Sequence, residues 1–137
     1  MTAKRQTTYL VLTVLILSLA ALACGTGSQT TSKITGNSGE VRVRINETSG
    51  VNTTSVELNE DWFREQLAAS VTFSLETGSC RASVIGEDGT QITVDAAAGS
   101  PGQASGQLIT DGFGEVDLET NCQGSAQNLD VTIAFNR

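Results

Sequence analysis

Glu40–Glu47 reads "EVRVRINE", and its period decides the fold. Val41, Val43 and Ile45 fall on one side of an extended chain and Arg42 and Arg44 on the other, because successive side chains of a strand point to opposite faces. A helix would scatter the same apolar residues around its surface. The alternation returns at "SVTFSLET" (Val71, Phe73, Leu75), at "GEVDLETNC" (Val116, Leu118, Cys122 against Glu115, Asp117, Glu119) and at "NLDVTIAFN" (Leu129, Val131, Ile133, Phe135). Each reads as a half-buried strand. Weaker alternation marks Thr54–Leu58, Cys80–Ile85, Gln91–Ala96 and Gln103–Thr110.

Turn chemistry separates these segments. "EDGT" at Glu87–Thr90 suits a hairpin, and "AGSPGQASG" at Ala98–Gly106 is a longer loop around the single proline, Pro101. About eight short strands at this spacing predict an all-β domain over residues 40–137. The expected architecture is an antiparallel β-sandwich of Greek-key or jelly-roll type. "NEDWFREQLAAS" at Asn59–Ser70 breaks the pattern. Asn59 is a capping residue, Glu60 and Asp61 favour the first turn, and one short helix is expected there.

Cys80 shares parity with Ala82 and Val84, and Cys122 with Val116 and Leu118, so both thiols are expected to face the core. Two inward cysteines predict a disulfide if the domain is exported, as the start of the chain suggests. A redox pair is the alternative, but no Cys-x-x-Cys spacing is present to lower a thiol pKa.

The chain begins "MTAKRQTTYLVLTVLILSLAALAC": two basic residues, Lys4 and Arg5, an apolar run, small residues and then Cys24. That is the layout of a secretory signal. Tyr9 to Ala23 is too short for a comfortable span, since 15 helical residues cover only about 22 Å of a ~30 Å hydrocarbon core. Ala21-Leu22-Ala23-Cys24 resembles the lipobox of bacterial lipoproteins, with alanine where leucine is most common. The resemblance covers residues 1–24. It implies removal of a signal peptide at 1–23, a diacylglyceryl group on Cys24, and a domain held outside the cell on the plasma or outer membrane. Ordinary cleavage and a retained anchor are the rival readings. "GTGSQTTSKITGNSG" follows, and 24–39 reads as a flexible tether, with Lys33-Ile34-Thr35 as the one stretch able to dock as an edge strand.

The 137-residue chain carries a net charge of −7. Loss of Lys4 and Arg5 would leave six basic against 15 acidic residues, a net charge of −9. Such a balance argues against nucleic acid, which needs clustered Lys and Arg, and favours cationic partners. No histidine occurs anywhere, and the only tyrosine and methionine lie within 1–23. Ser-His-Asp and Cys-His catalysis, histidine zinc sites and haem ligation by His or Met are thereby excluded. Lys33, the one lysine beyond residue 23, makes Ser-Lys chemistry improbable. No cofactor is expected.

What remains is recognition, with three weak alternatives. Trp62 and Phe113 are the candidate ligand contacts, Trp62 at an end of the sandwich and Phe113 between two glycines in a loop, although Trp62 and Phe63 read more readily as plugs of the core. A carbohydrate or protein partner suits them. Asp111, Glu115, Asp117 and Glu119 form a weak Ca²⁺ candidate, although Phe113 stands where an EF-hand loop has Asp or Asn. An inhibitor masking a cationic partner and a carboxylate-based hydrolase are the other classes, the hydrolase least favoured. The sequence predicts a non-enzymatic, lipid-anchored binding module.

Overall fold

Seven strands form in the order β1 (Ser28–Thr35), β2 (Ser38–Glu57), β3 (Gln66–Ser74), β4 (Ser79–Ile85), β5 (Gln91–Ala97), β6 (Gly102–Ile109) and β7 (Glu115–Asn136). The computed structural model describes residues 27–137, so the expected signal peptide (1–23) and the expected lipidation site Cys24 lie outside the described residues. All pairings are antiparallel, and no helix occurs among the described residues.

The architecture rests on one long ribbon. β2 and β7 pair along nearly their whole lengths, from Ser38 opposite Asn136 to Glu57 opposite Glu115. Their register shifts between Ser49 and Gly50, where Gln123 and Gly124 of β7 have no partner. Extra residues in one strand bend the pair, and Gly50 (φ 66°) and Gly124 (φ 80°) supply backbone angles that other residues resist. The ribbon therefore folds over on itself. Its first half, Ser38–Ile45 with Leu129–Asn136, carries β1 on one edge and β3 then β6 on the other. Its second half, Gly50–Glu57 with Glu115–Cys122, carries β4 and then β5. These are the two layers of a β-sandwich.

A single core fills the space between them. Val41, Val43, Val71, Phe73, Val131 and Ile133 come from the first layer, and Val56, Ala82, Val84, Val94, Val116 and Leu118 from the second. All follow the expected alternation. Cys80 and Cys122 occupy directly opposed positions on β4 and β7 and are joined by the disulfide.

The layers have two distinct ends. At the fold-over end lie Ser28, the ribbon bend and the β3–β4 and β5–β6 connections. At the opposite loop end lie the β1–β2 turn, the β2–β3 loop (residues 58–65), the β4–β5 turn (86–90) and the β6–β7 loop (110–114). Ser28 pairs with Ile45 next to the bend, whereas Thr35 pairs with Ser38 at the loop end.

Three expectations are corrected. The helix at Asn59–Ser70 is absent: Trp62 N–H bonds Asn59 O at 3.1 Å in a single turn, and Arg64 takes a positive φ of 51°. From Gln66 the alternation of Leu67, Ala69 and Val71 claims the chain for β3 instead. The tether at 24–39 is shorter than expected, because Ser28–Thr35 forms β1, held by backbone pairing to β2 with every side chain exposed. Finally, two pairs of expected strands merge, Thr54–Leu58 into β2 and "GEVDLETNC" with "NLDVTIAFN" into β7.

Candidate functional site

The loop end carries the two most exposed large aromatic side chains among the described residues, and the structure builds it from two loops laced together. In the β6–β7 loop, Asp111 folds its carboxylate back onto the chain. Its Oδ1 accepts from Phe113 N–H at 2.8 Å and from Glu115 N–H at 2.9 Å. This is an Asx turn, which an aspartate favours for that reason. Gly114 follows at φ 75°, and a Cβ there would stand 1.9 Å from Asn59 O, so the β2–β3 loop lies directly against it. Gly114 O accepts from both Leu58 and Asn59 N–H, and Asp111 O accepts from Arg64 N–H at 2.9 Å. Thr110 completes the join: its hydroxyl donates to Trp62 O and accepts from Glu65 N–H.

This lacing decides which aromatics reach solvent. Trp62, a candidate ligand contact, is 5% exposed. Its ring meets Phe135 edge-on and is covered by the Arg137 guanidinium 5.5 Å from the ring centroid. Trp62 belongs to the core. Its neighbour Phe63 points the other way and is 59% exposed, and Phe113 is 73% exposed. Phe113 stands at the surface, Trp62 plugs the core, and Phe63, read with Trp62 as a core plug, is instead exposed.

The surroundings are acidic. Glu60 and Asp61 precede Trp62, Asp88 tips the β4–β5 turn, and Glu57 and Glu115 sit directly opposite one another on β2 and β7. Glu87 and Glu65 are held by Arg64 and Arg137 at 3.7 and 3.6 Å. Five of the six basic residues described are in ion pairs, the others being Arg42 and Arg44 with Asp130, and Arg81 with Asp95. Eleven of the 15 carboxylates have no such partner.

The Ca²⁺ candidate does not assemble. Asp111 spends its carboxylate on its own turn, and Glu115 accepts from Ser55 on β2. Asp117 and Glu119 follow at two-residue steps along β7, which separates them by about 7 Å each. Among the described residues no group of three or more acids or cysteines is placed to hold a metal. The two carboxylates with displaced pKa values, Asp95 and Asp130, are both lowered, chiefly by hydrogen bonds from Arg81 and Arg42. A proton donor working near neutrality needs the opposite shift. A shallow trough on the outer face of the first layer, lined by Ala68, Ser70, Ser105 and Ala134, offers no exposed ring to orient a ligand.

No family model and no curated protein matches the sequence. Solved structures resemble it only distantly. An oxalate oxidase in complex with glycolate is 14% identical with a TM-score of 0.41, over 82% of this chain and 52% of that one. Oxalate decarboxylase from Bacillus subtilis is 14% identical with a TM-score of 0.38, over 81% and 25%. The carbohydrate-binding module TmCBM61, in complex with β-1,4-galactotriose, is 13% identical with a TM-score of 0.38, over 79% and 70%. The chain therefore spans about half of the oxidase and a quarter of the decarboxylase. Resemblance of this degree says nothing of activity.

Proposed function

We propose that the protein is a non-enzymatic binding module, anchored by lipid on Cys24 to the outer side of a bacterial membrane, whose contact surface is the loop pair bearing Phe63 and Phe113. One observation supports this above the others. The exposed rings lie at the end of the sandwich opposite the start of β1. Four peptide steps separate Cys24 from Ser28, a reach of at most about 14 Å. An anchor at Cys24 therefore holds the fold-over end against the membrane. β1 runs about 23 Å from that end to the other at ~3.3 Å per residue, and the loop end faces outward. Exposed rings on loops fixed by a rigid sandwich are the usual makings of a recognition surface.

Two measurements test the proposal. Mass spectrometry of the native product is expected to show cleavage before Cys24 and a diacylglyceryl mass on it; an intact Met1 or a bare thiol defeats the anchor. The lipidated chain, probed against arrayed glycans and envelope proteins, is expected to bind in a manner that Phe63→Ala with Phe113→Ala abolishes. Binding indifferent to both rings moves the contact surface elsewhere.

A further inference from the structure

The partner at the loop end is open to argument from charge, an argument that rests on the contact surface just proposed. Glu60, Asp61 and Asp88 are exposed and outside every ion pair, and they stand on the same loops as Phe63 and on the adjoining turn. Glu57 and Glu115 face each other across β2 and β7 at the root of these loops. Like charges at directly opposed positions destabilise a sheet unless a cation relieves them. The two arginines of this end, Arg64 and Arg137, are already committed to Glu87 and Glu65.

A second copy of the chain is a poor occupant, because it brings no free basic patch. Among the described residues only Lys33 lies outside an ion pair with a carboxylate. A neutral ligand leaves the facing carboxylates as they were. An anionic one adds to the repulsion.

We infer that the loop end docks a basic polypeptide, one presenting Lys or Arg next to apolar side chains: the apolar groups meet Phe63 and Phe113 and the cations meet the surrounding carboxylates. Complementary charge of this kind raises the encounter rate and rejects acidic competitors, while the desolvated rings supply the affinity.

The test uses the full lipidated chain in detergent micelles and three probes: a synthetic 15-residue peptide of alternating Lys and Leu, its Glu-Leu counterpart, and a neutral glycan array. The Lys-Leu peptide is expected to bind and the Glu-Leu peptide to fail. Phe63→Ser with Phe113→Ser is expected to weaken binding about tenfold or more, as is Glu60→Gln with Asp61→Asn and Asp88→Asn. Neutralising Glu47, Glu76 and Glu119, which lie away from the loop end, is expected to leave affinity within about twofold. All these positions are at the surface, and an unchanged circular dichroism melt verifies that each variant folds. Equal losses from the two charge triplets, or indifference to the Phe pair, overturn the inference. A glycan bound through Phe63 and Phe113 with no peptide binding also overturns it, yet leaves the loop end as the contact surface. Failure of every probe to depend on those rings removes both.

Discussion

Trp62 stands edge-on to Phe135, ring centroids 5.7 Å apart and planes at 85°. The β2–β3 loop is thereby pinned to the last turn of core on β7. Such a pair adds about 0.5–1.5 kcal/mol beyond area burial. Trp62→Ala is expected to cost about 3–5 kcal/mol, whereas Phe113→Ala, at an exposed turn tip, is expected to stay within about 0.5 kcal/mol. Urea denaturation followed by far-ultraviolet circular dichroism separates the two. Comparable losses would mean that Phe113 is packed rather than free.

The Cys80–Cys122 bridge spans 42 residues of sequence. Closing a loop of that size in the unfolded chain is worth about 4 kcal/mol on the chain-entropy account. Cys80→Ala with Cys122→Ala is expected to lower stability by about 2–4 kcal/mol with little change in binding, since the bridge lies toward the fold-over end. A variant that keeps its stability but loses its ligand would reverse that assignment.

Asp130 titrates below the usual carboxylate range, first because Arg42 hydrogen-bonds its carboxylate, then through the charges of Arg42 and Arg44. A carboxyl whose pKa is lower folded than unfolded stabilises the fold above its unfolded value, and loses that contribution as pH falls through its folded one. Stability of the native chain is therefore expected to decline as pH drops below about 4. Asp130→Asn is expected to remove part of that slope and to lower stability near neutrality, where it leaves Arg42 and Arg44 without their partner. Parallel stability–pH curves for the two proteins would refute the linkage.

Thr120 presents a buried hydroxyl with no hydrogen-bond partner on β7. An unsatisfied polar atom in a core costs about 1–3 kcal/mol. Thr120→Val keeps the branched shape and removes that atom, so it is expected to leave stability unchanged or raise it by up to about 1 kcal/mol. A clear loss on urea titration would show that the hydroxyl is satisfied in solution.

The alternation at Val41/Val43, Val71/Phe73 and Leu129/Val131/Ile133 was enough to read the strands, their buried faces and the cysteine pairing. Periodicity reports burial, and what it missed are places where burial does not act. β1 is wholly exposed and held by backbone bonds alone, so "SQTTSKIT" carries no alternating signal. Asn46–Ser55 holds one large apolar residue, Val51, itself exposed, and this lack of alternation hid the continuity of β2 through the bend. At the candidate site, Phe113 was legible because glycines flank it. Phe63 was not, because what sets it apart from Trp62 is the packing of the Trp62 ring against Phe135 and Arg137, far along the sequence.

The fold-over ribbon also dictates when this molecule can come into being. Each layer borrows half of its central pair from a segment far later in the sequence, as Ser38 pairs with Asn136 in the first layer and Glu57 with Glu115 in the second, so no nascent portion is a stable subunit. Structure must wait for nearly the entire polypeptide, and distant pairing of this kind makes acquisition slow. Until then the product stays loose and pliable, which is the condition that the proposed export through a narrow channel would require.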